Sequence, residues 1–381
     1  MRMLPLLVAL LLPACAVRPA EVHVAFDATR ITAQSARGVA DRATGRRVTP
    51  DDPVRVASVS KLVVAMGVMR LVEAGTLDLD RDVSDWLGWR LRNPAHPDAP
   101  VTLRQLLSHT SGLRDGVQYW IPFGGSVRAA LADPKAWEPA HPPGGYFVYS
   151  NLNFPVIGSI IEKATGERFD VAMARLVFAP LRLDACFNWT QCSNAKIARH
   201  VVLYDANGSV RHDDLKGVRP GCPVFTSGGC DLSSYVLGDN GALFSPQGGM
   251  RISMRDLARI GQLLLRNGDG FLTRQSMATI TEPVWVYDGN NGDTEKGFYC
   301  SYGLAAEALA TKVAGCRDDL FADGEPRIGH AGEAYGLRSG LWVDRKSGRG
   351  VAFFTTAVPD DSFDGRHSAF TRAEERLARG K

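Results

Sequence analysis

The 381-residue sequence contains no G-x-S-x-G, so the strand-to-helix elbow that presents the serine of α/β-hydrolases is missing. Neither G-x-x-x-x-G-K-[ST] nor G-x-G-x-x-G occurs, which removes the usual phosphate-cradling loops of nucleotide enzymes. C-x-x-C and H-E-x-x-H are absent too, so no ligand spacing points to a metal, and no cofactor is expected. There is no run of five like charges, no low-complexity tract and no repeat of fixed period, which excludes charged tails, solenoids and propellers. A net charge of +3 leaves no electrostatic footprint for nucleic acid. What remains is an ordinary globular balance, 45% hydrophobic and 22% charged, in a chain long enough for two lobes.

The first residues read as an export signal. Arg2 precedes an apolar run over residues 4–12, which is too short to span a bilayer as a helix. Leu12-Pro13-Ala14-Cys15 resembles a bacterial lipobox, which would put a lipid on Cys15 as the only membrane contact. Ala14-Cys15-Ala16 fits ordinary cleavage as well. The expected location is therefore the periplasm, anchored or free. Apart from Cys15, six cysteines remain, an even set that suits disulfides in an oxidising compartment. Short loops close at the lowest entropic cost, so the expected pairs are Cys186–Cys192, Cys222–Cys230 and Cys300–Cys316.

Along the chain, residues 21–27 and 30–36 read as paired strands. An apolar-periodic stretch from Ser58 to Ala74, stopped by Gly75, is the strongest helix signal. Thr102-x-x-Gln105 is a capping-box pattern for a short helix ending at Gly112. Asn153 is a candidate cap for a helix with Pro155 in its first turn, running to Gly166. Ser253-x-x-Asp256 opens another helix. The stretch 184–248 holds four cysteines and reads as long surface loops. Residues 337–343 and 350–356 flank a hairpin turn, and a helix over 370–378 closes the chain. The expected fold class is α/β: an antiparallel sheet flanked by helices, with an inserted, mostly helical lobe. The expected division is 1–15 as signal, 22–80 with 290–381 as the α/β lobe, and 81–289 as the helical lobe with disulfide-bearing loops.

The chemistry-bearing pattern is Ser58-Val59-Ser60-Lys61 at the start of the strong helix. Residues three apart share a helix face, so the Lys61 amine can lie beside the Ser58 hydroxyl. The positive helix end favours an alkoxide and, together with burial, lowers the amine's affinity for a proton. Ser193-Asn194-Ala195-Lys196 has the same spacing but no long apolar helix behind it, so spacing alone decides nothing. Two further segments add weight. Tyr149-Ser150-Asn151 offers a phenol for proton relay and an amide for substrate. His330-Ala331-Gly332 offers a histidine, and a glycine that lets a substrate backbone approach a strand.

With S-x-x-K, Y-x-N and H-x-G in that order, the chain resembles the penicillin-recognising serine hydrolases. The nearest branch holds class C β-lactamases, D-alanyl-D-alanine carboxypeptidases, D-aminopeptidases and related esterases. Flanking stretches resemble it too: Leu106-Leu107-Ser108-His109-Thr110-Ser111-Gly112-Leu113, Pro143-Gly144, and Gly248-Gly249-Met250-Arg251-Ile252-Ser253. The resemblance implies that Ser58 forms an acyl-enzyme, with Lys61 and Tyr149 as base and then acid. Asn151 would touch the substrate amide or the lysine. Backbone N–H groups of Ser58 and Glu333 would hold the oxyanion, and His330, beside Gly332, would line the pocket and help orient a substrate carboxylate or Tyr149. His330 departs from the lysine common at its place, which points away from an efficient β-lactamase and toward a peptidase, amidase or esterase. A D-amino-acid peptidase or amidase, with a small-molecule or peptide substrate, is the first expectation. The alternatives are a carboxylesterase, a weak β-lactamase, or a catalytically silent module binding peptidoglycan peptides. The first strand follows the signal almost at once, without the N-terminal helix common in the family. Oligomeric state is left open.

Overall fold

The computed structural model describes residues 19–224, 229–360 and 362–381. The expected signal over 1–15, with Cys15, lies outside them. An eight-stranded antiparallel sheet is built from both ends of the chain. Its strands are β1 (Glu21–Asp27), β2 (Ile31–Arg37), β3 (Trp285–Val286), β4 (Ser301–Tyr302), β5 (Glu307–Leu309), β6 (Arg327–Ala334), β7 (Leu337–Asp344) and β8 (Arg349–Thr355). They lie in the order β3-β4-β5-β6-β7-β8-β1-β2.

Successive side chains of a strand point to opposite faces, and both faces of this sheet are covered. Val22, Val24, Phe26, Leu341 and Phe354 enter the main core. Trp342, Val351 and Phe353 enter a second one, closed by Leu377 of helix Arg372–Ala378 and by Phe370 just ahead of it. The main-core face receives α1 (Val59–Glu73), whose residues from Val59 to Met69 are all buried. A helix buried on every side sits between layers rather than on a surface. Gly75, at φ 69°, ends it as expected.

Helices α2 (Leu103–Leu107), α3 (Asn153–Thr165) and α4 (Met254–Leu265) follow in chain order. The Thr102 capping box is formed, and Ser253 caps α4. Three details differ from expectation. Helix α2 stops at Leu107, because His109 takes a left-handed φ of 57°. Asn153 is the first residue of α3 and not its cap, and Leu152 at the cap position offers no side-chain bond. Helix α4 lies within the stretch 81–289 yet packs on β1, β7 and β8, and the sheet resumes at Trp285, ahead of residue 290. At Gly261 of α4, a methyl group would stand 2.2 Å from the Phe26 ring, so close helix–sheet packing selects glycine there.

The three disulfides pair as expected: Cys186–Cys192, Cys222–Cys230 and Cys300–Cys316. A small sheet of Val54–Arg55, Met250–Ile252 and Cys186–Phe187 ties the entry of α1 to the first bridge. No helix among the described residues is long and apolar enough to cross a membrane.

Candidate active site

Ser58 precedes the first turn of α1, where backbone N–H groups lack intrahelical partners. Ala57 before it has φ 45°, a left-handed value that turns the chain sharply and presents Ser58 to a cleft. That turn is clamped from several sides. Val56 N–H donates to Met250 O, Ser60 Oγ donates to Ala57 O, and Ser339 Oγ on β7 donates to Val56 O.

Lys61 lies one turn along α1, fully buried. Its Nζ is 2.9 Å from Ser58 Oγ, 2.9 Å from Asn151 Oδ1 and 2.8 Å from Gln247 O. Burial pushes its pKa down to about 7, against the opposing pull of the Asp115, Glu307 and Glu295 carboxylates. An amine with that pKa is substantially neutral near pH 7 and can take a proton from the hydroxyl it touches.

Tyr149 brings its phenol to the same point. Its ring stacks on Tyr299 and on His109, each with centroids 4.4 Å apart, and Lys61 Nζ lies 4.9 Å from its centroid. Burial raises the phenol well above its ordinary range, and the Ser58 hydroxyl pulls weakly the other way. The hydroxyl is buried and makes no well-formed hydrogen bond among the described residues. A buried phenol beside the nucleophile is placed to pass a proton to the atom that departs.

Asn151 is held by a residue that sequence reasoning passed over. Asp115 accepts from Asn151 N, Asn151 Nδ2, Leu152 N and Ser150 Oγ. Its carboxylate thus caps α3 from outside and aims Asn151 Oδ1 at Lys61. His109 does similar service, its Nδ1 accepting from Ser150 N at 3.0 Å. Burial, then Lys61 and His330, hold its imidazole well below the usual range, so it stays neutral. His109 lay within a stretch already singled out, whereas nothing local marks Asp115.

The third motif is placed differently from expectation. His330 is fully buried on β6 and does not line the cleft. Its Nε2 lies 2.7 Å from Tyr302 Oη, and its Nδ1 lies 3.0 Å from Glu307 Oε1 and 2.5 Å from Ala331 O. Two oxygens at Nδ1 require the proton there. The expected contact with a substrate carboxylate is therefore replaced by packing on the Tyr149 side: the His330 ring lies 6.4 Å from that of Tyr149 and edge-on to Tyr302, which itself meets Tyr149 edge-on. The Cys300–Cys316 bridge secures the segment that carries Tyr299 and Tyr302. Gly332 does line the cleft, and its bare backbone makes room for the nucleophile turn. A methyl group there would stand 2.4 Å from Val56 O and 3.3 Å from Ser58 N. Glu333, next on β6, is exposed at the cleft with Arg338 Nη1 at 2.6 Å.

The cleft encloses about 630 Å³, and Ser58, Tyr149, Asn151 and Gln247 line it. Its carboxylates include Asp115, Glu295 and Glu333. Its three arginines each face an acid: Arg338 meets Glu333, Arg211 meets Asp360 at 2.6 Å, and Arg55 meets Asp213 at 4.0 Å. No group of three His, Cys, Asp or Glu among the described residues is placed to hold a metal ion.

The second S-x-x-K has no such surroundings. Ser193 Oγ donates to Asp184 and caps a five-residue helix, while Lys196 Nζ turns to Asp256 and Asp51 O.

Comparison with known proteins agrees with this geometry. The family described as Beta-lactamase matches residues 17–374. Esterase EstB of Burkholderia gladioli is 37% identical over 345 residues, covering 85% of this chain and 82% of its own. The D-alanyl-D-alanine-carboxypeptidase/endopeptidase AmpH of Escherichia coli K12 is 27% identical over 203 residues, half of each chain. Among solved structures, a class C beta lactamase from Rhodobacter sphaeroides superposes with a TM-score of 0.65 at 18% identity, over 95% of this chain and 92% of its own. A D-amino acid amidase from Ochrobactrum anthropi gives 0.64 at 21% identity, over 94% and 92%. At such identities these last two speak for the fold.

Proposed function

The chain belongs to the beta-lactamase family of serine hydrolases, and from that premise we propose that it hydrolyses uncharged carboxylic esters through an acyl-enzyme on Ser58. The observation that carries the mechanism is the buried Lys61 amine 2.9 Å from Ser58 Oγ. Neutral Lys61 takes the hydroxyl proton as Oγ bonds to the substrate carbonyl carbon. The carbonyl oxygen gains the electron pair and is held by the N–H groups of Ser58 and Glu333. When the tetrahedral centre collapses, the alcohol leaves with that proton, passed from Lys61 ammonium through Tyr149. Water then repeats the sequence on the acyl-enzyme and frees the acid and Ser58. Asn151 holds the amine in line, and Tyr149 stays protonated between transfers.

The choice of ester over amide or β-lactam rests on charge. His330, standing where the family commonly has a lysine, is withdrawn behind Tyr302 and puts no cation into the cleft. Of the arginines at the cleft, Arg338 and Arg211 already face acids, and Arg55, which shares Asp213 with Arg251, is buried with its Nη1 on Gly248 O, so a substrate carboxylate finds no exposed unshared cation. The similarity to an esterase supports the same reading. A D-amino-acid amide is the second reading, because Asp115, Glu295 and Glu333 would suit an ammonium group. A panel of a methyl ester, a D-amino-acid amide and a penicillin separates them. The ester should give the highest kcat/KM and a trapped acyl adduct on Ser58 by mass spectrometry. Faster turnover of the penicillin would refute the charge argument.

We also read the protein as exported, on the basic start, the apolar run over 4–12 and the three disulfides. If Cys15 carries a lipid, the mature protein should sediment with membranes and Cys15→Ser should release it. An unchanged soluble fraction would leave ordinary cleavage.

A further inference from the structure

Tyr335 and Gly336 link β6 to β7, and both have positive φ, 53° and 72°. Two-residue hairpin links of this kind favour Asn-Gly or Asp-Gly, since a bulky side chain is strained at the first position. A tyrosine there is a local cost that the fold tolerates for some return. The structure also secures its ring with care. The ring stacks on His212 with centroids 4.3 Å apart, and the guanidinium groups of Arg55 and Arg211 lie 5.1 and 6.0 Å from its centre. His212 is fixed in turn by Asp213, 2.9 Å from its Nδ1. Buried Asp213 also accepts from Arg251 at 2.7 Å and from Trp189 at 2.9 Å. A strained residue is thus braced by a buried ionic network, yet it remains 38% exposed, on the wall of the Ser58 cleft.

Two other exposed aromatic residues line the same cleft, Trp120 at 45% and Phe363 at 51%. Scattered exposed aromatics need no explanation, but three that line one catalytic cleft offer ring faces to whatever enters it. The faces are aromatic and one is pinned in orientation, which suits a flat ring better than a flexible alkyl chain. We propose that Tyr335, with Trp120 and Phe363, forms a subsite for an aryl group of the ester substrate, so that Tyr335 sets specificity. The inference rests on the ester-hydrolase reading above.

The test uses four esters with matched alkoxide leaving groups, followed by titration of released acid. Benzyl acetate places the ring on the alcohol side, methyl phenylacetate places it on the acyl side, and methyl acetate is the ring-free parent of both. Methyl propionate serves as an aliphatic control. The chain should prefer one aryl arm over methyl acetate, and that arm names the side the subsite serves. Tyr335→Asn suits the turn, so it should fold and melt no lower than the natural protein. It should lower the aryl-to-methyl ratio of kcat/KM by about tenfold, and Trp120→Ala should act in the same direction, while Tyr335→Phe keeps the ratio. A ratio within twofold of the natural value in both Tyr335→Asn and Trp120→Ala overturns the subsite. Failure of the natural protein to hydrolyse any of the four esters overturns the ester reading itself, and the subsite with it.

Discussion

Ser58→Ala should lower kcat/KM on the order of 10⁴-fold or more while leaving the fold intact. The side chain is half-buried, makes no capping bond to α1, and has Lys61 as its hydrogen-bond partner. Its removal therefore sits within the small range expected of substitutions that open no cavity. A fluorophosphonate probe should place one adduct on the natural protein and none on Ser58→Ala. Neighbouring serines cannot easily take over. Ser60 is fully buried, its Oγ donating to Ala57 O and accepting from Met250 N. Ser193 donates to Asp184, and its lysine points elsewhere. Undiminished labelling of Ser58→Ala, or turnover within tenfold of normal, would remove Ser58 from the mechanism.

Much of this site is legible in sequence, because its parts are local. The nucleophile turn comes just ahead of the longest apolar helix, and the spacing of three puts Lys61 beside Ser58 without help from tertiary structure. The capping patterns at Thr102 and Ser253, the strands at both ends and the nearest-neighbour disulfides are local signals as well, and each is present. What sequence concealed depends on contacts between distant segments. Asp115 is one acid in a loop until the fold lays it against Asn151 and Leu152. His330 looked like a pocket residue because its motif position suggested one. Only the pairing of β5 with β6 shows Glu307 and Tyr302 drawing the imidazole inward. The strands β3, β4 and β5 are two or three residues long, too short for alternation to register. Helix α4 carries an amphipathic pattern that says it packs, and leaves open that the partner is the sheet.

Lys61→Met should reduce kcat by about 10³-fold or more and, near neutral pH, should raise the melting temperature. The two effects share one cause. Burial lowers the amine's pKa from 10.5 to about 7, so the unfolded chain binds the proton more tightly than the folded one. For such a group the native state is disfavoured as pH falls from 10.5 to 7, and the cost is fully present below 7. The cost approaches about 5 kcal/mol by linkage, of which orphaning Asn151 Oδ1 and Gln247 O would return about 1–2 kcal/mol in the variant. The gain of Lys61→Met should therefore be largest at and below pH 7 and should fade above pH 10. Activity of the natural protein runs the other way, rising with pH through about 7 as the amine loses its proton, and then levelling. Melting curves across pH, paired with the kcat/KM profile, read both from one residue. A flat profile between pH 6 and 8, with Lys61→Met no more stable at pH 7 than at pH 10, would mean that the amine stays charged in the fold. It would then be an electrostatic anchor for Ser58 and not its base.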